Sequence, residues 1–323
     1  FAETNVRLYS VDEQGRRGVV FSSLEPPQDL PPETRWVVLP RDDGHFARDG
    51  ARHDPLDADP RVGGMLHWAP LGHPGHRQRL AMIAQTVAEQ DLDAFMVDVS
   101  VEVALWVRLL GVPTVVVTQP GDRTDGVHHL AYRAADRILA PWADGLVRSA
   151  VLEEFRERTV WVGGVSRFAG RQAPGLRDER SVLVLGQALP GESLARARAE
   201  ALAAGWDFQA VGADAAGWRA DPWDALGAAT VVVSAAGQNS VADLAAAGAR
   251  AIVLPQDRPF DEQAATGGAL ERAQLALVQP SPPREGEFGA WLETARALRP
   301  DWEQWRVAGA PQRAAAVIES VIR

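Results

Sequence analysis

The stretch TVVVSAAGQNSVADLAAAGARAIVL, Thr230–Leu254, holds the pattern on which the fold turns. Thr230–Ser234 is a short, mostly β-branched run, bounded by the small residues Ala235, Ala236 and Gly237. From about Ser240 the apolar period changes: Val241, Leu244, Ala245 and Gly248 fall at i, i+3, i+4 and i+7, one face of a helix. Gly248 then stops the helix, and Ala251–Leu254 is a second apolar run. Strand, helix and strand in this order, with no polar alternation in either strand, describe a parallel sheet covered on both faces.

The same alternation extends in both directions. Strand-like runs occur at Val19–Ser22, Trp36–Leu39, Phe95–Val99, Thr114–Thr118, Arg137–Leu139 and Val160–Val162. A second set follows at Val182–Leu185, Phe208–Val211 and Ala276–Val278, with helical patterns at Arg77–Gln90, Val101–Leu110 and Glu192–Ala204 between runs. The pattern predicts an α/β protein with doubly wound parallel sheets. Residues 163–180 are rich in Gly and lack periodicity, so they are expected to link two domains, 1–162 and 181–310. A final helix over 311–323 is expected to pack back on the first domain. Two Rossmann-like domains joined this way face each other across a cleft, where ligands of such sheets bind. Pro40–Gly75 stands apart: it carries His45, His53, His67 and His73 with little helical period, and such long irregular stretches are often functional.

Composition removes several classes of function. The chain has 323 residues and a formal net charge of −10, without the basic clusters that nucleic acid requires. Cysteine and lysine are both absent, which rules out disulfides, thiolate chemistry and a Schiff-base lysine. The most apolar region, Ala94–Thr118, is interrupted by Asp98, Glu102 and Arg108, so no spanning helix is expected. These features fit a cytoplasmic protein and leave room for peripheral membrane contact. The seven histidines lack paired spacing, and no Asp-x-Asp pair closes a strand, so no metal site and no metal requirement are expected.

Phosphate must then be held locally. The turn after Ser234, with Gly237, Gln238, Asn239 and Ser240, precedes a helix whose first N–H groups lack intrahelical partners. Those donors and the helix dipole suit a diphosphate. A second reading has Gly237 permit the turn and Asn239 or Ser240 cap the helix. The following segment favours a ligand. Leu254-Pro255-Gln256-Asp257-Arg258-Pro259-Phe260 runs into Asp261, Glu262 and Gln263, whose carboxylate and amide groups suit sugar hydroxyls. Asp243 lies off the apolar face of the preceding helix and is free to point at the cleft.

From Val231 to Gln263 the sequence resembles the C-terminal domain of glycosyltransferase family 28. The shared features are a strand, a small-Gly turn, Asn239-Ser240-Val241-x-Asp243-Leu244-Ala245-Ala246-Ala247-Gly248, a strand, Pro255-Gln256, and Asp261-Glu262-Gln263. The resemblance implies the two-domain GT-B fold and sugar transfer from a nucleotide diphosphate-sugar, with UDP the expected nucleotide, to an acceptor hydroxyl. It assigns the diphosphate to Gly237, Gln238, Asn239 and Ser240, with Ser234 and the first loop of the C-terminal domain at Gly186 and Gln187. It assigns the ribose to Asp243, the transferred sugar to Asp261, Glu262 and Gln263, and the base to the region of Trp218 and Arg219. That loop is poorer in glycine than the family pattern, and Ala235-Ala236 stand where relatives often carry glycine or a basic residue. Trp218 also reads as an anchor for a surface loop.

The acceptor side is less defined. Family members begin with a strand and a Gly-rich loop that often carries a catalytic His, and no such loop precedes Val19; Phe1–Val11 reads as the tail of the following helix. The catalytic group is therefore unassigned, with Asp98 and His128 as candidates. His67, His73, Ser100, Gln119, Asp122 and Arg123 are acceptor-side candidates. Asp98 with Ser100 also reads as a helix cap, and the histidines as surface-loop residues. A nucleotide-sugar epimerase or hydrolase, or a non-catalytic nucleotide-sugar-binding protein, are the rival functions.

Overall fold

The computed structural model describes residues 18–27, 30–172, 179–212 and 221–322. Trp218, Arg219, Phe1–Val11 and the middle of the expected linker lie outside the described residues. The N-terminal half opens with a parallel pair, β1 (Gly18–Ser22) and β2 (Thr34–Val38), followed by a hairpin of β3 (Phe46–Arg48) and β4 (Ala51–His53). The hairpin falls inside the stretch expected to be irregular. Its turn is Asp49-Gly50, with φ of 51° and 77°, the two positive values that a tight hairpin turn demands.

Then come α1 (Pro74–Glu89), β5 (Phe95–Asp98), α2 (Val101–Leu109), β6 (Thr114–Val117), α3 (Gly126–Ala134), β7 (Arg137–Ala140), α4 (Ala150–Glu154) and β8 (Thr159–Trp161). Strands β5 to β8 form a parallel sheet in that order. The C-terminal half contributes β9 (Ser181–Leu185), α5 (Gly191–Ala203), β10 (Asp207–Val211), α6 (Trp223–Ala228), β11 (Val231–Ala235) and α7 (Gln238–Ala247). It continues through β12 (Ala251–Leu254), α8 (Glu262–Arg272), β13 (Ala276–Val278) and α9 (Phe288–Arg296) to α10 (Ala310–Glu319). Its five parallel strands lie in the order β10-β9-β11-β12-β13.

Apolar runs without alternation form these strands because each is covered on both faces. All of β12 is buried, as are Val231, Val232 and Val233 of β11. One side of the C-terminal sheet packs on α5 and α9 through Ala197, Ala201, Phe288 and Leu292; the other joins Leu244 of α7 and Leu270 of α8. Gly248 closes α7 at φ 63° with open space where a Cβ would stand, so the left-handed backbone itself requires glycine.

The two halves share one apolar core. It runs from Phe21 and Phe95 through Phe168 and Trp305 to Val241 and Leu244. Gly163, Gly164, Ser166 and Phe168 are buried, so the start of the expected linker is a packed strap. Gly164 N–H donates to the Trp305 carbonyl at 3.0 Å, and Arg313 Nε to the Val162 carbonyl at 2.8 Å. Val317 and Val321, at the chain's end, then pack on Met96, Val115 and Leu139 of the N-terminal sheet. The last helix thereby clasps the first domain.

Candidate active site

The order of the C-terminal sheet reverses between β9 and β11: the chain leaves β9 for β10 on one side and returns to β11 on the other. At such a switch point the connections leave the sheet in opposite directions and open a crevice at the strands' C-terminal ends. Gly186 and Gln187 follow β9 at this edge, and Ala236 and Gly237 follow β11. Gly186 has φ 56° and donates its N–H to the Val211 carbonyl at 2.8 Å. Ser234, expected in the turn, lies within β11 and is 1% exposed, so the turn towards the crevice begins after it.

Helix α7 starts at Gln238, earlier than the expected Ser240. Its N-cap is Gly237, with no side-chain cap, and neither Asn239 nor Ser240 takes that role. Gln238, Asn239 and Ser240 form the first turn, so their N–H groups precede any intrahelical partner. Gln238 Nε2 is buried with no hydrogen-bond partner among the described residues, a donor whose desolvation they leave uncompensated.

Gln263 organises this crevice from behind. It is 5% exposed, and its Oε1 accepts from the N–H groups of Ala236 and Gln256, each at 3.0 Å. One amide oxygen thus ties the turn before α7 to the turn after β12. Gln256 Nε2 in turn donates to the Gln187 carbonyl at 2.9 Å, adding the loop after β9. Asp243 is directed at the strap: Ser166 Oγ donates to its Oδ1 at 2.6 Å, and Arg167 Nε lies 3.7 Å from Oδ2. Burial pushes the Asp243 carboxyl above its ordinary range, against the lowering effect of Ser166 and Arg167.

The N-terminal domain reaches the same edge. Arg123, 3% exposed, donates to Gln119 Oε1 at 2.9 Å and pairs with Glu262 Oε2 at 3.5 Å, while its guanidinium lies 4.5 Å from the centre of the Phe260 ring. Burial lowers the Arg123 pKa and raises that of Glu262. A buried guanidinium is tolerated only with such partners. Asp122, Asp261 and Arg148 line a cavity of about 380 Å³ between the domains.

The remaining candidates divide. Ser100 caps α2, its Oγ accepting from Val103 N–H at 3.2 Å, and the carbonyl of Asp98 accepts from Ser100 N–H across Val99, whose φ is 73°. His73 is a second cap: its Nδ1 accepts from His76 N–H, its Nε2 contacts the Gly44 carbonyl at 2.9 Å, and its ring packs on Phe46. Buried at 6% exposure with both nitrogens engaged, it holds the start of α1. His67, His128 and Arg123 do converge, around a residue the sequence reading missed. Asp125 caps α3, accepting from Val127 and His128 N–H groups, and its carboxylate also contacts His67 Nε2 at 3.2 Å and His128 Nδ1. Its signal was the acidic residue just before Gly126 and an apolar-periodic run, an N-cap pattern. Glu102 was also missed; its Oε1 accepts from the N–H groups of His67 and Trp68 at 2.7 and 2.9 Å and pins that loop to α2.

His67, Asp125 and His128 are the one group among the described residues with metal-ligand potential, their ligand atoms within 4.8 Å of one another. Arg123 stands against a cation there, since its NH1 is 3.3 Å from His128 Nε2. The hydrogen bonds within the group also close without an ion. Among the described residues no helix is long and apolar enough to cross a membrane.

No protein-family model matches the chain. Over 242 residues it is 32% identical to a UDP-N-acetylglucosamine–N-acetylmuramyl-(pentapeptide) pyrophosphoryl-undecaprenol N-acetylglucosamine transferase of Bordetella petrii, covering 65% of this chain and 66% of that protein. The aligned part is thus just under two thirds of the relative's length. Acinetobacter baumannii MurG superimposes with a TM-score of 0.60 over 89% of this chain and 85% of its own, at 15% identity. UGT2 of Phytolacca americana, solved with UDP-2-fluoro-glucose and pterostilbene, gives a TM-score of 0.55 over 94% and 87%, at 13% identity. At such identities the structural likeness speaks for the fold, and that fold is GT-B.

Proposed function

We propose that this chain, a GT-B protein similar in sequence to a family 28 glycosyltransferase, moves a sugar from a UDP-linked donor to an acceptor hydroxyl. The observation that carries the reading is the uncapped N-terminus of α7 at the β9–β11 switch point, beside the unpartnered Nε2 of Gln238. A diphosphate placed there meets first-turn N–H groups and the positive end of the helix dipole. As the bond to the sugar breaks, negative charge grows on the leaving diphosphate, and donors already in place stabilise it without reorganising.

The remaining assignments rest on the family resemblance. Asp243, one turn into α7, takes the ribose hydroxyls, and Glu262 with Gln263 faces the sugar from α8. The Bordetella relative's acceptor, as its name states, is a pyrophosphoryl-undecaprenol; an acceptor of that kind would bring this protein to a membrane surface from the cytoplasm. We infer no metal requirement, because helix N–H groups supply the charge stabilisation a cation would otherwise give. Transfer is then expected to continue at an unchanged rate in excess EDTA.

Titration calorimetry with UDP, GDP and TDP tests the reading. UDP is expected to bind most tightly of the three. Absence of heat from all of them at millimolar nucleotide defeats the donor site.

A further inference from the structure

We propose that His67 is the general base that takes the acceptor's proton, and that Asp125 positions it; the assignment rests on the transferase reading above. It follows from asking which nitrogen of each imidazole carries hydrogen. Arginine only donates, so the His128 Nε2 that faces Arg123 NH1 at 3.3 Å is the lone-pair side. His128 Nδ1 therefore carries its hydrogen and donates it to Asp125 Oδ2. With both nitrogens engaged and 3% exposure, His128 meets no substrate. Its burial lowers its pKa to about 4, which keeps it neutral. Of the two sequence candidates for catalysis, it is thus a holder of Asp125.

The Asp125 carboxylate stays ionised: burial works against it, but bonds from His128 outweigh burial and bring it to about 2. An acceptor-only group facing His67 Nε2 at 3.2 Å requires a hydrogen on that nitrogen. The lone pair of neutral His67 is then on Nδ1. An imidazole oriented through one N–H by a fixed carboxylate, with the other nitrogen basic, is the arrangement a general base needs.

The mounting is rigid and the location apt. Glu102 holds the His67 N–H at 2.7 Å, and the ring lies 4.5 Å from that of His128 and 5.3 Å from that of Phe260. Phe260 belongs to the other domain, two positions before Glu262, so His67 stands at the domain junction opposite the sugar-facing end of α8. Its side chain keeps 22% exposure, enough to be reached. The titratable groups that face the imidazole are Asp125 and His128; Glu102 sits on the His67 backbone N–H, Arg123 lies behind His128, and Glu262 pairs with Arg123.

In the step, the acceptor oxygen forms its bond to the anomeric carbon as its proton passes to His67 Nδ1. The bond from that carbon to the diphosphate oxygen breaks, and its electron pair leaves with UDP. His67 then returns the proton to solvent.

Water and azide as acceptors separate the base from the rest of the site. UDP release from UDP-N-acetylglucosamine is measured for wild type, His67→Gln and Asp125→Asn, alongside UDP affinity. With water, His67→Gln is expected to be slower by ~100-fold or more, the range of a general base, with UDP affinity unchanged. Azide brings no proton, so it should restore release in His67→Gln. Asp125→Asn is expected to slow the reaction with water while leaving UDP affinity unchanged, and to be relieved by azide as His67→Gln is, because the imidazole loses the carboxylate that orients it. Wild-type rates in His67→Gln, or no rescue by azide, overturn the assignment while leaving the transferase reading intact. A wild-type protein that binds no UDP overturns both.

Discussion

The backbone N–H of Asp122 donates to the carbonyl of Phe260 over 2.8 Å, tying the loop after β6 to the loop before α8 and so one domain to the other. Phe260 and Asp261 hold this position with φ of 61° and 54°. For residues with a Cβ each such conformation costs roughly 1 kcal/mol or more, so surrounding contacts must sustain it. Arg123 over the Phe260 ring, and the His128 ring set nearly perpendicular to it at 4.8 Å between centres, supply them. The strained turn is therefore made by the partner domain.

Gly121 is where this junction is most sensitive. Its φ is 100°, and a Cβ would run into the Phe260 carbonyl. Gly121→Ala is expected to separate the two loops and lower stability by ~2 kcal/mol or more, the scale of a residue forced into positive φ with a clash. Chemical denaturation reads the loss, and small-angle scattering reads the opening. An unchanged midpoint and radius would mean that the contact is incidental.

Gln263 separates framework from ligand contact. Gln263→Leu leaves the N–H groups of Ala236 and Gln256 without their acceptor, at a cost of about 1–3 kcal/mol for each that stays buried. Gln263→Glu keeps the oxygen but places a negative charge beside the diphosphate site. It should fold with near-native stability and bind UDP ~10-fold or more weakly, a loss that high salt reduces. Equal affinities in calorimetry would place the diphosphate elsewhere.

The strands and the crevice were legible because unbroken apolar runs and a changing period are local signals: β12 and β13 begin and end where the sequence places them. The start of α7 was missed because Gly237, without a side chain, caps it, and the capping residues the sequence offered lie inside its first turn. Asp49-Gly50 did carry a hairpin signal, obscured by the histidines and prolines around it. What periodicity cannot carry is partnership across 58 positions, the separation of His67 and Asp125. The Asp243–Ser166 bond is of the same kind, since the aperiodic segment holding Ser166 reads as a linker and only Trp305, packed against Gly164, marks it as a strap.

Acid should act on the protein through His128 and Asp125 in two separate windows. His128 has a folded pKa of about 4 against 6.5 for the free side chain, so its contribution is complete above 6.5 and is lost as pH falls towards 4. At 1.36 kcal/mol per unit this is of the order of 3 kcal/mol. Asp125, at about 2 against 3.8, adds a further loss below 3.8. Urea midpoints measured from pH 7 to 4 should fall for wild type and stay flatter for His128→Gln. Parallel slopes would mean that His128 is hydrated in the folded protein.

Asp243 offers the sharpest test of the ribose assignment, because its carboxylate is already bonded to Ser166. A ribose hydroxyl can reach it only by sharing or replacing that bond. Ser166→Ala leaves the carboxylate short of a donor in the free protein, so UDP should bind several-fold more tightly to this variant, roughly the 1 kcal/mol of one exchanged hydrogen bond. Asp243→Asn should bind UDP more weakly, and its deficit should vanish with 2′,3′-dideoxy-UDP, which has no hydroxyl to offer. The folded pKa of Asp243 is raised, so burial makes the free protein lose stability as pH rises through that pKa, when the charge appears. A ribose that donates to the ionised carboxylate recovers part of this, so UDP affinity should climb over the same pH range in wild type and not in Asp243→Asn. If Ser166→Ala weakens UDP as much as Asp243→Asn does, the pair is a strap fastening, and the ribose is held by another residue.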